Sequence, residues 1–490
     1  MSTETGVPLR TQAVKSAAWY GGTRLWGQLV AWVVTILLAR MLLPADYGLF
    51  AMAFSVLTML EVLQEFGLGT VIVQRRDLTQ AQINGVFWIV FGSSLALTTA
   101  AILTAEVISG FYAEPQLAGV LRLLCLTFLL DSIGMVPYNL LSKALDLRRR
   151  SIAEVLGAVA KMVISLCLAY TGFGVWALVW GHLARAVVLN GALLVFSGWW
   201  PRLQVTRDGM GGVLIFALRI AGMNLVGSTS PAITALILGR YLGGAVLGLF
   251  TMATSLAEAP HRISTAMINQ ISFPVFSRLQ DEPEELSRYF LRISKYLALI
   301  SLPAQVGLVL VASDLVPLLL SSRWAAVTVP FQIMCVESAV VIVTLTSTPL
   351  LTALGRASFL LGRSVLAVSV LAVATLVGAP FGLVGVVATR LVAMVPIRGS
   401  LLLPCLRELR IPFRTYLVTM ASPLLATGLM TAAVLAVRHV LLAEAGHLER
   451  LVVSALTGAL AYPGALLFLD RGLMAELGTI ARDLVSRPKA

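Results

Sequence analysis

Charged side chains are scarce in this sequence. Asp, Glu, Lys and Arg make up 12% of the 490 residues, about half the share of a soluble domain, whereas hydrophobic residues make up 58%. So few charges cannot cover a surface that faces water, which excludes a soluble globular protein. The longest polar stretch, residues 277–292, is about as long as one helix, so no sizeable domain outside a membrane is predicted.

Cysteines are few, and the common catalytic motifs are missing. The cysteines lie in apolar stretches without C-x-x-C spacing, so neither a metal nor a redox centre is predicted. They are Cys125, Cys167, Cys335 and Cys405. There is no P-loop, H-E-x-x-H motif or G-x-S-x-G motif in a strand–helix context. We therefore expect no enzyme, no nucleic-acid partner, and no cofactor other than coupled H+ or Na+. A lipid glycosyltransferase or ligase fits the composition but typically needs a sizeable extramembrane loop.

Long apolar runs are what the sequence has instead. Runs of roughly twenty residues recur along the chain, each long enough to cross a bilayer as a helix. We predict an all-α polytopic membrane protein with about fourteen transmembrane helices. No cleavable signal peptide is expected, because the first run is too long for one. The predicted spans are residues 16–39, 48–67, 83–107, 117–140, 152–171, 174–197, 213–239, 246–276, 290–312, 325–351, 360–379, 381–404, 413–438 and 450–469.

The basic residues indicate an orientation. Lys and Arg concentrate at every second connection, from Arg10 and Lys15 before the first span to Arg487 and Lys489 after the last. The other connections hold few of them, such as Arg240. Because cytoplasmic loops are enriched in Lys and Arg, both termini are predicted to be cytoplasmic.

A repeated segment divides the chain. "ARMLLPADYGLFAMA" (residues 39–53) and "GRYLGGAVLGLFTMA" (residues 239–253) are identical at eight of fifteen positions without a gap. The copies join the first to the second span and the seventh to the eighth. We therefore predict two six-helix lobes in the same orientation, related by a pseudo-twofold axis along the membrane normal. The expected parts are an N-lobe (1–208), a C-lobe (209–410) and two further helices with a cytoplasmic tail (411–490).

Each copy of the repeat has features of a tight connection between helices. Pro44 and the Gly243–Gly244 pair are expected to stop a helix. Gly48 and Gly248 are expected to let two backbones approach closely. We refer to the two copies as the first and the second hinge.

Ionisable residues lie inside several predicted spans. Arg122, Arg219 and Arg398 are near span ends and could extend to the headgroups. The bases nearer mid-span point to a solvated cavity, with a structural ion pair as the alternative; they are Arg24, Lys161, Arg185, Arg262 and Arg390. The acids within spans are Glu61, Glu65, Asp131, Glu258 and Glu337. The deep bases are mostly arginine, which binds phosphate or carboxylate bidentately.

Several motifs carry a resemblance to a known family. "LLPADYGLFAMA" resembles the L-x-P-x-D/E-Y/F-G signature of polysaccharide flippases, and "EFGLGTVIVQ" is similar to their next motif. "LDLRRRSIAEVLGAVA" followed by "GFGVWALV" resembles Wzx-type O-antigen and exopolysaccharide exporters. These belong to the superfamily that also holds MATE drug exporters and the lipid II flippase. The second hinge departs from the signature, because it lacks the equivalents of Pro44, Asp46 and Tyr47.

The resemblance implies a fold and a function. It implies a MATE-like protein of the bacterial inner membrane that flips undecaprenyl-pyrophosphate-linked oligosaccharide by alternating access of its lobes. The oligosaccharide head would pass through a cavity while the lipid tail stays among the membrane lipids. The arginine on the first helix of the lipid II flippase implies a similar place for Arg24, with Asn224 opposite in the second lobe. We predict contacts to the anionic head from Arg24, Arg185, Arg262, Arg390 and, more weakly, Lys161.

Further expectations concern coupling, partners and alternatives. Glu61, Asp131 and Glu337 are candidates to carry H+ or hold Na+. A polysaccharide polymerase and a chain-length regulator are expected partners. One alternative is a MATE-like exporter of small molecules, which needs unpaired acids and few bases. Another is a non-transporting scaffold, in which the intramembrane charges pair off completely.

Overall fold

A computed structural model gives the structure of the chain. It describes residues 30–65, 67–75, 78–204, 210–442 and 444–472. Side chains within those ranges are described except at 62–63, 65, 210, 212–230, 261–271 and 357. The described residues are almost entirely helical and include no strand.

Helices follow one another with short connections. The first elements are α1 (Val30–Met41), α2 (Pro44–Glu65), α3 (Leu68–Gln74), α4 (Gln80–Tyr112), α5 (Gln116–Leu124), α6 (Leu126–Lys143), α7 (Leu147–Tyr170) and α8 (Val175–Ser197). Then come α9 (Met210–Arg278), α10 (Pro283–Leu319), a 3-10 turn (Ser322–Val327), α11 (Thr328–Val343) and α12 (Ser347–Ala353). The last are α13 (Ala357–Gly378), α14 (Gly382–Glu408), α15 (Phe413–Val440) and α16 (His447–Leu469).

The predicted spans correspond to these helices. Ten helical stretches of the described residues are long and apolar enough to cross a membrane, and one of them, Ser358–Glu408, comprises most of α13 and all of α14. The part of the first span that the structure describes is the shorter apolar helix α1. The fourth span is α5 and α6, and the tenth is the 3-10 turn with α11 and α12. The prediction of an all-α polytopic membrane protein is confirmed.

The first hinge is held by its own polar side chains. Pro44 starts α2, where a missing backbone N–H costs nothing. The carboxylate of Asp46 accepts a hydrogen bond from the backbone N–H of Leu43 at 2.9 Å and so caps the helix. The hydroxyl of Tyr47 donates to the carbonyl of Thr35 on α1 at 3.3 Å. The polar part of the signature therefore fixes the angle between α1 and α2.

The second hinge packs against the first. It is a single non-helical residue, Gly243 (φ 81°, ψ 173°), within the continuous run of α9, so the connection is shorter than the predicted gap between spans. A Cβ on Gly48 would lie 1.6 Å from the carbonyl oxygen of Gly244, and one on Gly248 would lie 1.8 Å from that of Pro44. Only glycine permits this contact, so the glycines at matching positions of the two copies serve backbone-to-backbone packing.

A Phe-Gly pair also recurs in the two halves of the chain, and its glycine is required by the backbone conformation. Phe173–Gly174 opens α8 and Phe381–Gly382 opens α14. Gly174 (φ 57°, ψ −133°) and Gly382 (φ 72°, ψ −164°) both adopt a conformation that essentially only glycine tolerates. A Cβ on Gly174 would also come within 2.9 Å of Asp46, so the first hinge packs against the start of α8.

The last two helices are tied to α10 by buried polar contacts. Asp314 on α10 is 1% exposed; its carboxylate accepts from Arg438 on α15 at 2.6 Å and contacts the ring of His447 on α16 at 2.9 Å. At the other end of α10, Lys295 pairs with Asp470, just past α16, at 2.6 Å. The additional helices therefore form one body with α10.

The chain divides into two compact units. One comprises Met1–Leu249 and the other Phe250–Ala490. The first includes both hinges up to Leu249, and the second includes α10–α16. The predicted lobe boundaries at 208/209 and 410/411 stay predictions, because a division into compact units does not identify the lobes of a repeat.

Candidate functional site

Four helices of the first unit bring ionisable side chains together. Glu61 is on α2, Asp131 on α6, Lys161 on α7, and His182 and Arg185 on α8. Arg185 interacts electrostatically with each of the other four. We call these five residues the first cluster. The sequence predicted each of its charged members separately, and the structure places them in one group.

Asn190 holds one acid of the first cluster in place. Its amide group donates to the carboxylate of Asp131 at 2.8 Å and to the carbonyl of Ala186 on its own helix, also at 2.8 Å. Asn190 is 6% exposed. A Cβ on Gly134 would overlap its side chain at 1.8 Å, so a glycine on α6 makes room for it. Asn190 was not predicted from the sequence, although an amide in an apolar helix near Arg185 is a visible signal.

The bases of the first cluster are not neutralised by direct contacts. Neither Lys161 nor Arg185 forms an ion pair within 4.0 Å with a residue that the structure describes. Both side chains are half-buried, whereas Glu61 and Asp131 are exposed. The structural ion pair left open as an alternative is thus not formed here among the described residues.

His182 packs against aromatic rings. Its ring makes edge contacts with Phe54 at 5.6 Å and with Phe50 at 6.2 Å between centroids. This geometry is typical of a histidine that contributes to packing.

A second cluster lies within the unit Phe250–Ala490. Arg390 on α14 forms an ion pair with Glu337 on α11 at 3.5 Å, with side-chain exposures of 14% and 12%. The guanidinium of Arg390 lies 5.6 Å from the ring centroid of Phe250. Glu337 also interacts electrostatically with Arg398 and Glu258. Two residues predicted for different roles, a substrate contact and an ion carrier, are thus paired with each other.

Most of the other bases predicted within spans lie outside the described side chains, and one forms an exposed ion pair. Arg24 lies outside the described residues, and so do the side chains of Arg219 and Arg262. Arg122 forms an ion pair with the exposed Glu106 at 2.8 Å. The described residues hold no group of three or more His, Cys, Asp or Glu side chains that could bind a metal ion.

Fold and site together define the class of protein. Apolar spans with ionisable side chains gathered at mid-helix are typical of membrane transporters, because such side chains are costly in lipid unless a cavity or partner accommodates them. The structure is similar to an inward-closed lipid II flippase MurJ, with a TM-score of 0.77, 12% identity, and coverage of 93% of this chain and 100% of that one. It is also similar to an inward-facing MATE transporter, with a TM-score of 0.65, 15% identity, and coverage of 78% and 94%.

The family is shown by the sequence. The chain belongs to the polysaccharide biosynthesis protein family, whose model matches residues 37–329. It is 23% identical to the succinoglycan biosynthesis transport protein ExoT of Rhizobium meliloti over 467 residues, or 94% of this chain and 93% of that one. It is 23% identical to the lipopolysaccharide biosynthesis protein WzxC of Escherichia coli over 331 residues, or 67% of each.

Proposed function

We propose that the protein is a flippase that moves undecaprenyl-pyrophosphate-linked oligosaccharide units across the inner membrane for export of a surface polysaccharide. The observation that carries this proposal is the first cluster, in which Lys161 and Arg185 form no ion pair within 4.0 Å with the described residues. The relatives support a transport function, because one of them is named as a succinoglycan biosynthesis transport protein. The protein is a transporter, not an enzyme.

The first cluster is suited to the anionic head of such a substrate. Glu61 and Asp131 are exposed although they lie within membrane spans, and carboxylates at that depth favour contact with water over lipid. Arg185 offers a planar guanidinium that binds phosphate oxygens bidentately, and Lys161 adds a second positive charge. Arg24, Arg262 and Arg390 complete the proposed set of contacts.

Acidic residues of the two clusters offer a means of coupling substrate transport to an ion gradient. Glu61, Asp131 and Glu337 are the proposed carriers of H+ or Na+. Entry of a cation beside Glu61 and Asp131 would leave the two bases of the cluster electrostatically uncompensated and favour substrate binding. The termini are proposed to be cytoplasmic, and a polymerase with a chain-length regulator to receive the exported unit.

Replacement of the two bases tests the proposal. In a strain that lacks the chromosomal copy, Arg185→Ala and Lys161→Gln are each compared with Arg185→Lys and with Arg122→Ala, which removes an exposed ion pair. We expect export to fall roughly 30-fold for Arg185→Ala, since loss of a charged contact costs about 2 kcal/mol. Arg185→Lys retains part of the activity, and Arg122→Ala leaves it unchanged. Normal export by both cluster variants at normal abundance contradicts the proposal.

A MATE-like exporter of small molecules is the second candidate. It relies on acids without matching bases, whereas the first cluster holds two of each, Glu61 and Asp131 against Lys161 and Arg185. A scaffold predicts complete pairing, which the first cluster lacks among the described residues. Drug susceptibility of the deletion strain separates an exporter from a flippase.

A further inference from the structure

Two arginines of the second unit lie side by side between helices. The guanidinium of Arg363 on α13 donates a hydrogen bond to the carbonyl of Ile397 on α14. Arg398 is the next residue along α14, and it interacts electrostatically with Arg363. From the sequence, Arg398 was expected near a span end, where it could extend to the headgroups. The structure instead brings the two like charges to the same level of neighbouring helices.

Acids are in short supply around this pair. Arg398 interacts with Glu337, but that carboxylate already lies 3.5 Å from Arg390. Neither Arg363 nor Arg398 forms an ion pair within 4.0 Å with a described residue. Glu258 is the other acid that interacts with Glu337. The one carboxylate shown to interact with Arg398 is therefore shared with Arg390.

The surroundings of the pair are apolar and leave hydrogen-bonding capacity unused. The buried Nε atoms of Arg363 and Arg398 have no hydrogen-bond partner. Next to them, Met394 and Ile397 belong to a core with Leu371. Removing a guanidinium from water without a partner costs free energy, and a second like charge nearby adds to that cost. Both side chains remain only half-buried, so a ligand can reach them.

We propose that Arg363 and Arg398 together form a binding site for a phosphate group, carried either by a lipid headgroup or by a soluble phosphate compound. Phosphate matches two adjacent guanidiniums, because it has several acceptor oxygens and a negative charge. Arg363 is already oriented by its bond to Ile397, which lowers the entropy lost on binding. This site is additional to the first cluster.

Binding to the purified full chain tests the site independently of export. The wild type is compared with Arg363→Gln, Arg398→Gln, Arg398→Lys and the control Arg356→Gln, which removes an ion pair with Glu408 near the same end of α13. Each is placed in phosphate-free maltoside detergent, in the same detergent with phosphatidylglycerol, or in the same detergent with soluble pyrophosphate. The melting temperature of every sample is then measured.

The site predicts a pattern across these samples. A phosphate source raises the melting temperature of the wild type and Arg356→Gln, and this rise is lost in both glutamine variants and reduced in Arg398→Lys. A rise with phosphatidylglycerol alone identifies a lipid headgroup, and a rise with pyrophosphate in detergent without lipid identifies a soluble phosphate compound. No rise in the wild type, or equal rises in all variants, overturns the proposal.

A second measurement, the melting temperature without any phosphate source, tests the site even if a variant gives no clear result with ligand. In phosphate-free maltoside detergent, Arg398→Gln is expected to melt at the same or a higher temperature than the wild type, because it removes an uncompensated charge. A purely structural arginine gives the opposite result, and a clear fall in melting temperature overturns the proposal. Because neither measurement reads polymer export, this site and the proposed flippase activity can fail separately.

Discussion

The two units use intramembrane charge in different ways. In the first cluster, Arg185 interacts with Glu61 and Asp131 at long range, and the hydrogen bond to Asp131 comes from the neutral Asn190. In the second, Glu337 and Arg390 are in direct contact at 3.5 Å. A direct ion pair favours a fixed arrangement, whereas separated charges stay available to a ligand. The first cluster is therefore better suited to bind, and the second to hold helices together.

The hinges show a similar division of roles. The first hinge carries the polar groups of Asp46 and Tyr47, which fix its own helices. The second hinge carries glycines, and Gly244 provides the surface against which Gly48 packs. The first hinge therefore supplies the polar contacts, and glycines of both hinges allow their backbones to pack closely.

The ion pair of the second cluster should give the largest effect on stability. We expect Arg390→Gln or Glu337→Gln alone to lower the free energy of unfolding by about 3 kcal/mol, because each leaves a charge in an apolar region without its partner. The double variant should recover most of this loss. Denaturant titration in detergent measures all three, with Arg288→Gln, from an exposed pair with Glu285, as a control that changes little. Additive losses in the double variant contradict a coupled pair.

Disrupting the contact between the hinges should give the second largest loss of stability. A methyl group at position 48 would lie 1.6 Å from the carbonyl oxygen of Gly244, so the two backbones must separate. We expect Gly48→Ala to destabilise the protein by roughly 1–3 kcal/mol and to reduce export. Gly92→Ala on α4 is the matched control, since nothing lies within 4 Å of its added Cβ. Equal melting temperatures for the two variants would show that the hinges do not pack as described.

The amide that supports the first cluster should have a moderate effect. Asn190→Ala removes a charge-assisted hydrogen bond to Asp131, and we expect a loss of about 1.5 kcal/mol. Asn139→Ala removes only a bond to Met135 on its own helix and serves as the control. Thermal unfolding and export are measured together. If Asn190→Ala behaves like the control in both, Asn190 does not position the carboxylate.

The smallest effect on stability should come from Arg185 itself. Because it forms no ion pair within 4.0 Å with the described residues, we expect Arg185→Gln to change the free energy of unfolding by less than about 1 kcal/mol while export is lost. Arg390→Gln is the reference, with a large loss of stability. A destabilisation of Arg185→Gln as large as that of Arg390→Gln would remove the distinction between the clusters.

Much of the architecture was predictable from the sequence. The helices α10, α13 and α15 contain or coincide with the predicted spans within a few residues, because the length of an apolar run is a local property. Pro44 and Gly243 were identified as helix stops because their backbone constraints act at their own positions. The break at Cys125 was not predicted, since the residues from α5 to α6 form one unbroken apolar run.

The candidate site was predictable only in part. Arg185 and Asp131 were found because a charge in an apolar span is visible in the sequence. The distance between the two side chains could not be predicted, because contacts between different helices depend on how the helices rotate and pack. For the same reason Arg390 was expected to contact substrate, a role that stays a prediction, although the structure pairs it with Glu337.

The sequence by itself determined that this chain spans a membrane, where most helices begin and end, and that a segment recurs in two places. Those properties follow from hydrophobicity, proline and glycine, which act over one helix or one turn. Only the tertiary structure decided that Gly48 meets Gly244, that Asn190 supports Asp131, and that Arg363 lies beside Arg398. Such contacts join residues from about 35 to almost 200 positions apart, and they form because packing in a crowded interior allows few arrangements of these side chains.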